Sequence, residues 1–383
     1  MTAWKKYKLR EIVTLNYGKS LIAKKRIDGN IPVYSSAGLS GWHDEPLIYS
    51  NAIIVGRKGN VGSVFYSNKP SYCIDTAYYI LPNDNYDLKF IYYKLLSMNL
   101  VRLTSDSAVP GLNRETAYAQ EVTIPDLTTQ HLIAQILTSF DDKIELLGQM
   151  NQTLETMAQA IFKEWFIDFN FPGFDGELVD GLPKGWRKVE LRELISVKDG
   201  THDSPKQQES GKYLITSKHL KNHFIDFDTA YKISEEDFEK INKRSKVDKL
   251  DILITMIGTV GNFYFVHDDV IDFAIKNIGL FKTSENPDLS YFIYFVLSSE
   301  ETSEYFIKRL AGSTQQYLTL ETLRQTPIVL PDTPILNAFN HTAKLLYEKI
   351  ALNTYQIRTL THLRDTLLPK LMSGAVAMKN KTL

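Results

Sequence analysis

The turn Gly56-Arg57-Lys58-Gly59-Asn60-Val61-Gly62 carries residue types that suit a phosphate or a nucleobase edge. Glycine allows close backbone approach, and Arg, Lys and Asn supply charge and hydrogen bonds. A cofactor-binding glycine turn should open a helix, whereas this one runs into Ser63-Val64-Phe65-Tyr66, a strand pattern, which argues against a nucleotide or dinucleotide. There is no run of Gly, four residues and then Gly-Lys-Ser or Gly-Lys-Thr, so no phosphate-binding loop of that kind, and the eight histidines show no paired metal-ligand spacing. His43-Asp44, His202-Asp203 and His267-Asp268 have the types of a metal or acid–base pair, but they stand at unrelated positions in polar stretches, so solvated loops are expected. Cys73 has no neighbouring base to activate it. As the lone cysteine it excludes a disulfide framework and a Cys-based zinc or iron–sulfur site, and it fits a reducing, cytoplasmic compartment. The chain therefore reads as non-catalytic, with no metal site.

The elements that would position the turn are sized by the chain itself. At about 150 residues per domain, 383 residues suggest two or three domains, and 43% apolar with 23% charged residues is globular composition. No stretch approaches the ~20 apolar residues of a membrane span, and the start carries no secretory pattern, so neither membrane insertion nor secretion is expected. The net charge of −1 hides a division: residues 1–125 hold 15 basic against 10 acidic side chains, and 126–185 hold 3 against 10. Residues 186–331 hold 19 against 22, and 332–383 hold 7 against 3. The first region could face phosphates, and the stretch after it could not.

The chain is written twice. Trp4-Lys5-Lys6-Tyr7-Lys8-Leu9-Arg10-Glu11 matches Trp186-Arg187-Lys188-Val189-Glu190-Leu191-Arg192-Glu193, Gly18 meets Gly200, and Gly59-Asn60-Val61-Gly62 matches Gly258-Thr259-Val260-Gly261. From Leu112 onward the two copies align without a gap, through Leu112/Leu318, Glu115/Glu321, Pro125/Pro331, Lys143/Lys349 and Leu154/Leu360. All the length difference falls in the front part of each copy, where the second is longer.

The back part of each copy reads as one long helix. Ile133, Leu137, Phe140, Ile144, Leu147, Asn151, Leu154, Ala158, Ile161 and Trp165 alternate spacings of four and three, the heptad seam of a coiled coil. Phe339, Ala343, Leu346, Ile350, Asn353, Ile357, Leu360, Arg364, Leu367 and Leu371 repeat it. Thr333-Pro334 should start the second helix, and Pro369 should break or kink its end. About 35 residues at 1.5 Å each make a rod of ~50 Å, and two such seams in one chain bury each other most simply as an antiparallel pair. Asn151 and Asn353, where leucine would be more stabilising, either face one another and fix register or turn to solvent.

Residues 1–126 and 186–332 read as α/β domains. Ile53-Ile54-Val55 and Ile252-Leu253-Ile254 are buried strands, with Val64-Phe65-Tyr66 and Phe263-Tyr264-Phe265 as partners, and residues 89–100 and 291–310 are helical. Residues 127–171 and 333–373 are the long helices, 172–185 a Gly- and Pro-rich linker, and 374–383 a tail. The fold class expected is α+β: two α/β domains separated by two long antiparallel coiled-coil helices, with an internal pseudo-twofold repeat.

Several strings reach a family. Ile133-Ala134-Gln135-Ile136-Leu137, Asp141-Asp142-Lys143-Ile144-Glu145-Leu146-Leu147, Asn151-Gln152-Thr153-Leu154-Glu155, Phe162-Lys163-Glu164-Trp165-Phe166-Ile167-Asp168-Phe169 and Leu182-Pro183-Lys184-Gly185-Trp186 together resemble the central region of type I restriction-modification specificity subunits. Leu367-Leu368-Pro369-Lys370-Leu371-Met372-Ser373-Gly374 resembles their C-terminal signature. The resemblance implies two target recognition domains that read the halves of a split, asymmetric site in double-stranded DNA. It also implies two methyltransferase subunits as partners and, where the system restricts, two motor-nuclease subunits. S-adenosylmethionine, ATP and magnesium would then sit on those partners, and this chain would hold no cofactor.

On that expectation the DNA face of the first domain is Tyr34, Ser35 and Ser36, Arg57, Lys58, Gly59 and Asn60, and residues 107–114 with Asn113 and Arg114. In the second domain it is Thr201, His202 and Asp203, Thr216, Ser217, Lys218 and His219, Gly258 and Thr259, and Ser313, Thr314, Gln315 and Gln316. Two other functions remain compatible with the residues: a stand-alone DNA modification enzyme, and a coiled-coil protein scaffold with no DNA role.

Overall fold

The computed structural model describes residues 4–103, 111–221 and 224–376. The chain divides into two compact units, Met1–Glu145 with Arg358–Leu383, and Leu146–Ile357. Each contains one sheet-rich domain and part of both long helices.

In the first unit, Lys5–Lys8 pairs antiparallel with Glu121–Ile124, closing the domain where the first long helix leaves it. A four-stranded antiparallel sheet runs in the order Asn16–Tyr17, Ala77–Ile80, Ala52–Gly56, Val64–Ser67. Its centre, Ala52–Gly56, is buried at every position, which is why this strand is an uninterrupted apolar run rather than an alternating one. A three-stranded sheet places Ile31–Ser35 antiparallel to Gly38–His43 and parallel to Tyr72–Cys73. Helix Leu88–Ser97 starts on Asp87, whose carboxylate accepts from Phe90 N at 2.7 Å, and it lays Phe90, Ile91, Tyr93 and Leu95 into the core.

The second unit repeats this plan. Arg187–Glu190 pairs with Pro327–Leu330, the four-stranded sheet runs Val197–Asp199, Ile278–Phe281, Ile252–Thr255, Phe263–Phe265, and the three-stranded one runs Tyr231–Ile233, Lys212–Thr216, Phe273–Lys276. In the first copy Ile31–Ser35 turns straight into Gly38–His43, whereas the second copy inserts the hairpin Leu220–Lys221/Phe224–Ile225 at that point and the helix Glu235–Ser245 soon after. Those insertions account for the greater length. The helical stretch expected at 291–310 is two helices, Ser290–Leu297 and Glu300–Ile307, the second capped by Ser299 through Thr302 N at 3.2 Å.

The long helices span Leu127–Phe162, extended by a π-helical turn at Lys163–Ile167, and Thr333–Met372. They pair antiparallel inside each unit. In the second, Asn151 lies against Asn353 while Phe162 meets Phe339 edge to face at 5.9 Å; in the first, Asp141 meets Arg364, and Ile133 and Leu137 share a core with Leu371. None of the twenty seam positions is exposed: Ile133, Leu137, Leu147, Ala158, Phe339, Ala343, Ile350, Asn353 and Leu371 are buried, and the others half-buried. Near the end of the first helix the apolar face widens. Phe162, Phe166 and Tyr347 lie off the narrow seam and are buried against Phe292 and Phe295 of the domain. Pro369 does not end its helix, which continues to Met372; four residues on, Ser373 N still donates to Pro369 O at 3.0 Å. A proline this close to the terminus removes one bond where few remain to lose.

Candidate nucleic-acid interface

In the first domain three distant segments converge. The chain leaves strand Ala52–Gly56 into the glycine turn, where Gly59 and Gly62 take φ of 77° and 76°. Arg57 N and Lys58 N both donate to Thr76 O at 2.9 and 3.0 Å, and Ser36 N donates to Thr76 Oγ1 at 3.2 Å. Ser63 Oγ donates to Ser36 O at 2.5 Å, fixing the Tyr34-Ser35-Ser36 bend beside the turn. Leu112 N donates to Arg57 O at 2.9 Å, and Lys58 bridges Gly111, which brings in Asn113 and Arg114. Asn113 caps helix Arg114–Tyr118 through Glu115 N and Thr116 N at 2.8 and 3.2 Å, so its side chain is committed to the backbone.

The result is a cleft of about 360 Å³ lined by Tyr17, Arg57, Lys58, Tyr78, Asn113 and Arg114 among others. The guanidinium carbons of Arg57 and Arg114 each lie 5.1 Å from the centre of the exposed Tyr17 ring, which packs in turn on Tyr78 at 5.1 Å. Burial, with Tyr17 alongside, pushes the Tyr78 phenol up to about 12, and its hydroxyl donates to Leu112 O at 3.1 Å. Arg57 meets no carboxylate among the described residues, and its Nε is buried with no hydrogen-bond partner. Arg114 only approaches Glu115, at 4.0 Å, and that carboxylate is held by Arg10 at 3.0 Å. Two cations held against one ring, with spare donors, suit an anion or a guanine edge. The sequence reading found both arginines but missed Tyr17 and Tyr78. Tyr17 directly precedes Gly18, which aligns with Gly200, and that adjacency was the available signal.

The second domain keeps the backbone and changes the side chains. Gly258 and Gly261 take φ of 82° and 93°, Ile257 bridges Tyr317 as Lys58 bridges Gly111, and Thr319 caps its helix through Thr322 N as Asn113 does. In the aligned positions, however, Asp199 replaces Tyr17, Met256 replaces Arg57 and Leu320 replaces Arg114. Asp199 is ion-paired with Arg244 and lies 3.0 Å from His202 Nε2. Polar groups gather instead around Asn277: His202 Nδ1 is 2.7 Å from its Oδ1, Ser217 Oγ donates to its carbonyl at 3.3 Å, and Thr201 bridges Lys276. Lys218, Gly258, Thr259, Gln315 and Gln316 are exposed.

Some expectations are corrected. His219 is fully buried, its Nδ1 accepting from Thr216 N at 3.0 Å, so it shapes a turn and cannot face DNA. Burial, with Lys218 nearby, lowers its pKa. Ser36 is also buried, and its role is to hold the bend. His43 is no solvated loop residue: it ends a strand, buried, with Nδ1 accepting from Ile27 N at 3.1 Å. His267 packs 4.6 Å from Phe265, and burial drives its pKa down to about 4. His267 lies where a polar sequence neighbourhood conceals an aromatic spatial one, whereas His43 Nδ1 also stands 3.1 Å from Asp44 Oδ1. Residues 107–110 of the first-domain face lie outside the described residues. Burial lifts the Cys73 thiol to about 12, and among the described residues no group of three or more His, Cys, Asp or Glu could hold a metal. No helix among them is long and apolar enough to cross a membrane.

The chain is thus a duplicated α+β protein, each copy carrying the same turn scaffold with different side chains upon it and a long helix. A family model described as the type I restriction modification DNA specificity domain matches residues 1–156 and 183–358, and the chain belongs to that family. It is 27% identical over 351 residues to the type I restriction enzyme MjaIX specificity subunit of Methanocaldococcus jannaschii, covering 85% of this chain and 78% of that one. It is 24% identical over 389 residues to the HindI specificity subunit of Haemophilus influenzae, covering 84% and 85%. Among solved structures, the type I restriction-modification S subunit from M. genitalium shares the fold with a TM-score of 0.66 at 19% identity, over 97% of this chain and 96% of that one.

Proposed function

We propose that this chain is the non-catalytic specificity subunit of a cytoplasmic type I restriction-modification complex. Each sheet-rich domain reads one half of a split double-stranded DNA site, and the paired helices set the unread spacer and dock the methyltransferase subunits, with restriction subunits added where the host has them. S-adenosylmethionine, ATP and magnesium belong to those partners. The observation that carries the reading is the Arg57–Tyr17–Arg114 cluster, mounted on a turn that the second copy reproduces with Met256, Asp199 and Leu320 in its place. One scaffold bearing two different donor sets suits an asymmetric site, because each half then meets its own pattern of groove-edge donors and acceptors. Half-sites about one helical turn apart, ~34 Å, would offer both major grooves on one face.

The test is methylation-sensitive sequencing of DNA from cells carrying this chain with its methyltransferase partner. A split, asymmetric methylated motif is expected, and Arg57→Ala should relax or erase bases in one half only. A continuous motif, or methylation that persists without this chain, would overturn the proposal.

A further inference from the structure

We infer that the polar layers of the helical seam make the first long helix select the second and reject a copy of itself from another chain, and likewise for the second. Duplication creates the problem they solve. The two helices carry the same heptad pattern position by position, so the contacts of a wholly apolar seam would not distinguish a like pair across two chains from the unlike pair within one.

In the unit Leu146–Ile357, Asn353 Nδ2 donates to Asn151 Oδ1 at 2.9 Å, and Asn151 Nδ2 donates to Thr354 Oγ1 at 3.2 Å. The repeat aligns Asn151 with Ile357 and Leu147 with Asn353. If the first helix met the first helix of another copy in the same antiparallel register, Asn151 would face Leu147. If the second met the second, Asn353 would face Ile357. Either arrangement sets a buried amide against an aliphatic side chain, and the amide group loses its partner. Only pairing of a first helix with a second helix sets amide on amide.

The other unit holds a second polar layer of the same logic. Arg364 Nη1 donates to Asp141 Oδ1 at 2.7 Å, and Tyr93 OH donates to the other carboxylate oxygen at 2.5 Å. Their repeat equivalents are Ala158 and Tyr347. Self-pairing would put Asp141 against Ala158 and Arg364 against Tyr347, separating the charges. Stability does not explain the asparagine layer, since Asn353 Oδ1 is buried and receives no hydrogen bond from the protein. A leucine pair would hold the helices more firmly, and partner choice is what the amides add.

The experiment refolds the full chain from denaturant at concentrations approaching the millimolar effective concentration of linked segments, and sizes the product by light scattering. The natural sequence should return as monomer. Asn151→Leu with Asn353→Ile makes the asparagine layer apolar while leaving the Asp141–Arg364 layer, and should raise the dimer fraction at least about tenfold. Adding Leu147→Asn and Ile357→Asn to that variant moves the matched amide layer to its repeat-equivalent place without changing composition, and should restore the monomer. A double variant that stays as monomeric as the natural sequence, or a relocated one that dimerises like the double, would overturn the inference.

Discussion

Lys282 Nζ lies 2.5 Å from Asp251 Oδ2 inside the second domain, with the lysine side chain 6% and the carboxylate 0% exposed. The same ammonium reaches Asp248 Oδ2 at 2.7 Å and Lys246 O at 3.1 Å, while Asp251 accepts from Asp248 N at 2.7 Å and Ser284 N at 3.1 Å. Every polar atom of the pair has company, which makes the burial tolerable. Removing one partner strands a charge, so Lys282→Met should destabilise this domain by about 3–5 kcal/mol, read by denaturant unfolding. Lys282→Met with Asp251→Leu should recover much of that loss. If the double variant were as unstable as the single, the charge argument would fail and packing would be responsible.

Arg57 predicts a DNA phenotype. In the assembled methyltransferase complex, Arg57→Ala should weaken binding by about 1–3 kcal/mol if it reads a guanine, with discrimination relaxed at one base. If it touches phosphate, the loss should be uniform across sequences and the salt slope should fall by roughly one. Binding unchanged by Arg57→Ala in both respects would remove the cluster from the interface. Met256→Ala, at the aligned position of the second domain, should leave the salt slope unaltered.

His267 predicts acid sensitivity. Its pKa in the fold is about 4 against 6.5 for the free side chain, so between these values the unfolded chain binds the extra proton. Stability is fully present above pH 6.5 and declines as pH falls toward 4, by at most about 3 kcal/mol from this residue. His267→Phe should flatten that stretch of the stability–pH curve; an unchanged slope would assign the acid sensitivity to other groups.

The helices predict a ruler. Inserting one heptad into each lengthens the pair by about 10 Å at 1.5 Å per residue, which corresponds to roughly three base pairs at 3.4 Å each. The methylated motif should gain a spacer of that increment. A motif with its spacer unchanged would show that something other than helix length sets the gap.

The paired helices were legible because their signal is periodic: a seam of alternating fours and threes survives in one sequence, and all twenty positions read from it are at least half-buried. The strand pair Ala52–Gly56 and Val64–Ser67 was legible for a similar reason, two apolar runs around a glycine turn. The Arg57–Tyr17–Arg114 cluster was only half legible. Arg57 and Arg114 stood out as cations beside glycine or in a loop, but the ring that gathers them, Tyr17, comes from an edge strand and has no counterpart in the other copy. Contacts between segments this far apart depend on tertiary closure, which residue types do not record. His219 failed in the opposite sense: it sits among Thr, Ser and Lys in the chain, yet its ring turns inward to accept a backbone N–H.

The glycines at 59 and 62, and at 258 and 261, carry a consequence for how such a protein changes. Each bend is secured by left-handed backbone that needs no particular neighbour beside it. Positions 57 and 256 can therefore hold an arginine in one head and a methionine in the other on one unaltered frame. On the proposed reading, a single codon change there would alter what is sensed without asking the protein to fold anew, so novelty in target choice and robustness of architecture would be inherited separately.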